Sequence, residues 1–325
     1  MRRRGAAAAG LAVAVLASIG AGCTREDDGG RLADARPAQV TGTTLWAQLP
    51  TGKVSVTIGK PVSRIPGDEV VGGQPLEAAD DRAFLPVQVD YADLEGTPAD
   101  APQDPDLDPA DLTTLAVVLA DQSYPVPFSD VPEASYLEVA KAPDAEPALE
   151  IGFDGVQQSV DAAGHRETGE AAGLYEASTR TDLESCGEQG ADTPEGSSRT
   201  CRYALWAYPY VEGLGWASKR TADATWVVVT AQTWLRADQI RSGGQVCRPT
   251  AMAGNSEVRV DGQPATGELP VVANRRGGGR GLGSRGAYLL PPAGQRGVEI
   301  TSRWRCRIGE DITKVEFVDR VTSPS

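Results

Sequence analysis

The chain has 325 residues and a formal net charge of -14, from 31 basic and 45 acidic side chains with one histidine. A surface of that sign argues against a nucleic-acid partner and against charge-driven adhesion to anionic lipid. With a single histidine, His165, any Ser-His-Asp or Cys-His mechanism has to run through one position.

Residues 1–23, MRRRGAAAAGLAVAVLASIGAGC, have the parts of an export signal in order. Arg2, Arg3 and Arg4 form a positive start, Gly5–Ile19 is an apolar run of small residues, and small residues lead to Cys23. The run is too short and too rich in Ala and Gly for a good spanning helix. The terminus resembles a bacterial lipoprotein lipobox, with Ala21 and Gly22 before Cys23 and with Gly20 where that motif prefers Leu. The resemblance implies a diacylglyceryl group on Cys23; ordinary cleavage, leaving a secreted chain, is the alternative. Without the three signal arginines the chain carries 28 basic against 45 acidic residues, a net -17. No later apolar run approaches spanning length, so the expected membrane contact is through the N-terminal lipid. The expected location is the extracytoplasmic face of the cell membrane, or the medium if Cys23 carries no lipid.

Setting Cys23 aside leaves Cys186, Cys201, Cys247 and Cys306. An even four outside the cytoplasm read as two disulfides, with three connectivities open. Pairing Cys186 with Cys201 and Cys247 with Cys306 closes the most local loops. Zinc is the weaker reading, since there is no Cys-x-x-Cys pair. No metal or other cofactor is expected.

Thr24–Thr44 is small and polar and reads as a flexible tether to a first domain. From Trp46 the hydrophobic period becomes two. Val54, Val56 and Ile58 alternate with polar residues, as in a half-buried strand. Leu85, Val87, Val89 and Tyr91 repeat the pattern over Ala83–Tyr91, and Pro86 marks a sheet edge or a bulge there. Strands are expected at Leu112–Ala120, Ser135–Val139 and Leu149–Phe153, and a short helix at Thr168–Ser178. Glu184–Thr200 is rich in Gly, Ser and Thr and reads as a junction.

The second half repeats this grammar at Arg202–Tyr208, Thr225–Trp234, Glu257–Val260, Val298–Cys306 and Ile312–Val318. Trp226 and Val228 on one side, with Val227 and Val229 on the other, predict burial of both faces. Asp261-Gly262 is a tight-turn signal. The halves overlay as two divergent copies: Val54–Ile58 on Tyr203–Ala207, Ala83–Tyr91 on Thr225–Thr233, and Leu115–Asp121 on Val258–Asp261. Short strands between Gly and Pro clusters predict an all-β chain of two tandem immunoglobulin-like β-sandwiches, residues 46–180 and 201–325, behind a signal at 1–23 and a tether at 24–45, with a junction at 181–200.

The run Asp80-Asp81-Arg82-Ala83-Phe84-Leu85-Pro86-Val87-Gln88-Val89-Asp90-Tyr91, with Asp121-Gln122-Ser123-Tyr124 beyond it, resembles the telokin-like, immunoglobulin-like domains of secreted Gram-positive lipoproteins, among them secreted mycobacterial antigens. Ala224–Thr233 echoes it. The asparagine that often follows that strand is replaced by Ala92-Asp93. The family implies a β-sandwich and brings no catalytic residues to transfer.

No catalytic constellation is visible. His165 lies in a polar loop, and neither Gly-x-Ser-x-Gly nor Ser-x-x-Lys occurs. Gly281-x-Gly283-x-x-Gly286 fits the dinucleotide fingerprint in letters, but Ala287–Pro292 cannot open the helix it needs. The stretch Asn274–Gly286 reads instead as a mobile basic loop whose Arg275, Arg276, Arg280 and Arg285 would meet an anionic partner. Trp206, Tyr208, Tyr210 and Trp216 near Gly213-Leu214-Gly215 are candidates for a sugar or peptide platform, or plugs for the end of a sandwich. Asp104-x-Asp106-x-Asp108 begins like a calcium loop, yet Pro109 and Leu115 replace the glycine and glutamate that loop requires. Between Pro66 and Glu150 twenty acids face two basic residues, and between Arg241 and Arg320 thirteen basic residues face eight acids. The expectation is a non-enzymatic envelope lipoprotein that binds a protein or an envelope polymer. The alternatives are a hydrolase using paired carboxylates and a calcium-dependent binding module.

Overall fold

The computed structural model describes residues 32, 34–93, 109–129, 133–141, 145–176, 180–186, 198–236, 240–242, 245–269, 280–292, 294–308 and 311–323; side chains at 93, 109, 198, 199, 235–254, 280, 306–313 and 315 are outside the description. The chain is all-β, built of antiparallel sheets; the described residues add one short helix, Pro109–Leu112, and two 3-10 turns.

In the first half, Gly42–Gln48, Gly52–Gly59, Arg82–Asp93 and Glu133–Ala140 hydrogen-bond in that order into a first sheet. Gln122–Pro125, Thr113–Leu119, Ala148–Phe153, Val156–Val160 and Arg166–Glu167 form a second. The alternation in sequence sets the inward faces. Val54, Val56, Ile58, Leu85, Val87, Val89, Leu137 and Val139 from the first sheet meet Leu115, Val117, Leu149, Ile151 and Phe153 from the second in one buried cluster. Pro86 sits where its neighbour changes register: Ile58 opposes Val87, but Val62 opposes Phe84, one residue out of step. Phe84 exchanges both backbone bonds with Val62. Two residues on, the same edge of the strand lacks a donor at Pro86, and the partner chain departs there, as a bulge allows.

In the second half, Glu184–Ser185, Ser198–Tyr208, Thr225–Arg236, Arg280–Leu290 and Gly267–Glu268 make a third sheet. Ile240–Ser242, Gln245–Val260, Gly297–Ile308 and Asp311–Thr322 make a fourth, with Gln263–Pro264 beside Gln245–Val260. Tyr203, Leu205, Val227, Val229 and Tyr288 pack against Val258, Val260, Val298 and Ile300. The pairing order repeats that of the first half, except that among the described strands Arg166–Glu167 there, and Gly267–Glu268 and Ile240–Ser242 here, have no counterpart. Thr113–Leu119 turns into its hairpin partner through Ala120 (φ 48°) and Asp121 (φ 63°), and Gln245–Val260 does so through Asp261 (φ 50°) and Gly262 (φ 75°). Two consecutive positive φ angles give the twist of a type I′ hairpin.

Each half also covers the outer face of its leading sheet, with the segment between Gly52–Gly59 and Arg82–Asp93 in the first half and between Ser198–Tyr208 and Thr225–Arg236 in the second. In the first half this segment includes Arg64–Ile65 and Leu76–Glu77, and Ile65 packs with Phe84, Tyr136 and Ala35. The tether expected at 24–45 is therefore partly structured. Leu32 N–H donates to the Tyr136 carbonyl at 3.0 Å, Arg36 N–H to the Glu69 carbonyl at 2.8 Å, and Val71 N–H to the Asp34 carbonyl at 2.7 Å. Ala35 is 1% exposed. In the second half the cover is residues 209–224. Val211 and Ala217 pack on Trp226 and Val228, which explains the burial of both faces of Thr225–Arg236.

Three further expectations change. The Thr168–Ser178 helix is a 3-10 turn over Gly169–Leu174, since Gly169 (φ 49°) disfavours a regular α-helix. Within the junction at 181–200, Glu184–Ser185 is an edge strand of the third sheet. The basic loop over Asn274–Gly286 is wrong from Arg280 onward, where a strand pairs with Thr225–Arg236 from Leu235↔Arg280 to Thr225↔Leu290. Its glycines hide the alternation that marks a strand. They leave room for neighbours: a Cβ on Gly281 would lie 3.0 Å from Trp234, and one on Gly286 would lie 2.9 Å from the Ala265 Cβ.

Candidate functional site

The aromatic residues 206–216 lie between the halves. Tyr210–Val211 and Gly215–Trp216 form a small hairpin, with Gly213 (φ 74°) and Gly215 (φ 77°) making its turn. Tyr210 and Trp216 enter the core of the first half and meet Phe153 edge-on, at ring distances of 5.2 and 6.5 Å. The Trp216 indole donates to the Phe153 carbonyl at 3.0 Å, and the Tyr208 hydroxyl donates to the Pro50 carbonyl at 2.7 Å. Lys219 Nζ donates to the Asp154 carbonyl. Burial, with smaller contributions from nearby ionisable groups, raises the Tyr208 and Tyr210 hydroxyls well above the usual tyrosine range. A partner platform on Tyr208, Tyr210 and Trp216 is thereby corrected: all three are buried against the chain's own first half. Trp206 is half-buried, its ring tilted against Tyr208 at 5.6 Å, with the Arg180 guanidinium 4.8 Å from its ring centre.

Cys186 and Cys201 are disulfide-bonded, with Cα atoms 5.4 Å apart. Their sulfurs and an Asp319 carboxylate oxygen lie within 4.8 Å of one another. Formation of the disulfide takes both sulfurs out of metal chemistry. Cys247 and Cys306 stand on neighbouring strands of the fourth sheet, with side chains outside the described residues. Cys23, Arg275, Arg276 and the acidic residues Asp100–Asp108 are also outside them, as is the Arg280 side chain. Arg285 faces Thr230 across the third sheet and lines a cleft of about 380 Å³ with Ser256, Glu257, Ser284 and Tyr288. His165 is exposed, its Nδ1 2.9 Å from Asp161 Oδ2; that hydrogen bond holds the Asp161 carboxyl below the usual carboxylate range.

The site that sequence reasoning missed is a groove of about 740 Å³ on the outer face of the second sheet. Its floor is a register row. Pro125 opposes Ala116, Ala116 opposes Glu150, Glu150 opposes Ser159, and Ser159 opposes Glu167, so the row crosses all five strands. Directly opposed residues share a face. Ala116 and Ser159 are small and leave the depression; Thr114, Gln157 and Gly169 complete its walls. Glu150 accepts a hydrogen bond from the Ser123 hydroxyl at 3.2 Å. Glu150 and Glu167 are exposed, and neither forms an ion pair among the described residues. Glu150, Glu167, Ser159, Thr114 and Gln157 set hydrogen-bonding groups among the apolar surface that lines it. Strand alternation in Leu149–Phe153 foreshadowed that Glu150 faces outward; the strand Val156–Val160 was missed because its central inward residue is the polar Gln158, and the alignment of Glu150 and Ser159 with Glu167 needed the pairing register.

No family model matches the chain, and neither a curated protein nor a solved structure does.

Proposed function

We propose that this protein is a non-enzymatic, extracytoplasmic lipoprotein that acts as a binding or adaptor module, moored through Cys23 and built of two tandem immunoglobulin-like sandwiches. The order of pairing supports the fold reading. In the first half Arg82–Asp93 pairs with Glu133–Ala140 and Thr113–Leu119 with Ala148–Phe153, and in the second Thr225–Arg236 pairs with Arg280–Leu290 and Gln245–Val260 with Gly297–Ile308, the crossing-over of a Greek-key sandwich. The observation that carries the functional reading is the open, hydrogen-bonding groove on the second sheet. It lies across the core from the face to which the N-terminal segment is bonded. Nine residue steps separate Cys23 from Leu32, a leash of at most about 30 Å. The mooring thus attaches to one side of the first half while the groove opens on the other.

A carboxylate hydrolase finds less support in the same groove. Glu150 and Glu167 stand two strands apart, about 10 Å at the backbone, a separation such enzymes approach. Both side chains are solvated, however, and stand on an open sheet face rather than in an enclosed cleft.

Fractionation of cells expressing the full chain tests the reading. The mature protein is expected in the membrane fraction, released by detergent and labelled by a fatty-acid probe, while Cys23→Ala goes to the medium. A cytosolic chain with reduced thiols would overturn it.

A further inference from the structure

The interior of the second half changes character along its length. The hairpins after Thr113–Leu119 and Gln245–Val260 fix an equivalence between the halves, Leu119 opposing Gln122 in one and Val260 opposing Gln263 in the other. Counting back from these turns and across the ladders places Leu115 with Ser256, Ile151 with Ser302, and Phe153 with Trp304. In the first half all three are apolar and buried in the core. In the second, Ser302 is 0% exposed and Trp304 4%. Among the described residues neither the Ser302 hydroxyl nor the Trp304 indole N–H has a hydrogen-bond partner. Buried polar groups are paired as a rule, so two such donors on one inward face call for a partner from outside the chain.

Beside them the two sheets leave a gap. Ser256 opposes Ser302, and Gly254 opposes Trp304. The Ser256 hydroxyl shares a hydrogen bond of 3.1 Å with Ser284 of the third sheet, and both serines line the cleft of about 380 Å³. Ser302 therefore stands one strand in from the cleft. Gly283 and Gly286 also line it, and the Tyr288 hydroxyl is committed to the Val258 carbonyl at 2.6 Å. Its charges have both signs: Arg285, an exposed Glu268, and Glu257, which Arg303 and Arg259 already bond. Such a lining favours no ion of either sign.

We propose that this cleft takes a neutral sugar, about one ring in size, whose hydroxyls replace the Ser256–Ser284 bond and reach Ser302 and Trp304. A sugar hydroxyl donates and accepts at one atom, so it serves both an indole N–H that only donates and a serine hydroxyl that does either. A cleft at the small end of the range for ligand sites holds a terminal unit rather than a polymer laid along a sheet. The proposal rests on the reading of the chain as a binding module, and adds a site of different chemistry in the other half.

The test uses the purified mature chain, isotope-labelled at its tryptophans and titrated with glucose, galactose and mannose, with glucuronate and glucosamine as charged counterparts. The Trp304 indole signal is assigned as the one missing from Trp304→Phe or, should that variant not fold, by through-bond NMR on the wild type. A neutral sugar is expected to move that signal saturably with a millimolar midpoint, and the charged sugars to bind more weakly. Ser256→Ala with Ser284→Ala should raise the midpoint at least about fivefold, while Ser123→Ala in the first half should alter it less than about twofold. Ser302→Ala should also weaken binding, yet leave the sugar-free melting temperature level or higher, because it removes a buried hydroxyl that has no partner. A Trp304 signal unmoved by every neutral sugar at about 100 mM, the donors then holding ordered water only, would overturn the proposal. Tighter binding of either charged sugar, or undiminished binding by Ser302→Ala, would do the same. Membrane fractionation is unaffected by any of these results, so failure here is separable from failure of the mooring.

Discussion

The halves share an order of strand pairing and differ in what holds them. The first encloses aliphatic side chains from both of its sheets and borrows Tyr210 and Trp216 from the second to complete its core. The second has a smaller described cluster, a disulfide at its edge, and a ladder of arginine–glutamate pairs on its outer sheet. The first half thus relies on apolar burial, while the second adds a covalent link and surface ion pairs to its core. The hairpin lent across the boundary means that the first half as described is incomplete without the second.

The largest effect expected from breaking this arrangement is at Trp216, which is 1% exposed. Trp216→Ala removes a buried aromatic and its indole hydrogen bond, and should cost about 3–5 kcal/mol. Differential scanning calorimetry should show one cooperative transition in the wild type and an earlier, separate transition of the first half in the variant. A single unshifted transition would mean that the halves are not coupled through this hairpin.

Next comes the disulfide, which spans a sequence separation of 15. Cys186→Ser with Cys201→Ser should cost about 3 kcal/mol, from the freed entropy of the unfolded chain. The loss should appear in the transition of the second half alone when followed in denaturant.

A smaller effect is expected at Tyr175. Its hydroxyl accepts from Gln48 N–H at 3.0 Å and donates to Gln158 Oε1 at 2.5 Å, and Gln158 Nε2 returns a bond to the Gln48 carbonyl. Tyr175→Phe leaves these part-buried polar groups between Gly42–Gln48 and Val156–Val160 without a partner and should cost about 1–2 kcal/mol. Hydrogen exchange should rise in Gly42–Gln48 and Val156–Val160 and stay level in the second half.

The smallest is electrostatic. The hydrogen bond from Arg303, followed by that from Arg259, holds the Glu257 carboxyl below its ordinary range. A depressed carboxyl stabilises the fold above its unfolded pKa, and that contribution is lost as pH falls through the folded value. Glu257→Gln should therefore cost under about 1 kcal/mol at neutral pH, and the gap to wild type should close below pH ~4. Denaturant midpoints across pH 3–7 measure it. A gap that widens in acid would contradict the sign.

Much of the architecture was legible because a half-buried strand states its faces in its own alternation. Val54, Val56 and Ile58, or Val298 and Ile300, point inward as their spacing requires. The strand at Arg280–Leu290 was not legible, because Gly281, Gly283 and Gly286 carry no side chain whose polarity could alternate. The docked segment around Ala35 was hidden for a related reason: small and polar residues read as a tether until Ile65, Phe84 and Tyr136 provide a surface for Ala35.

By itself the sequence determined which residues face a core, where Asp261-Gly262 reverses the chain, and that Cys186 and Cys201 lie close enough along the chain to bond. Tertiary structure alone decided that Tyr210 and Trp216 serve the other half's core, and that Glu150, Ser159 and Glu167 stand in one row. Hydrophobic period is a local property of a few neighbouring residues. Register and inter-half packing are set by contacts between segments far apart in the chain, and a shift of one residue in any ladder would have turned those same side chains to the opposite face.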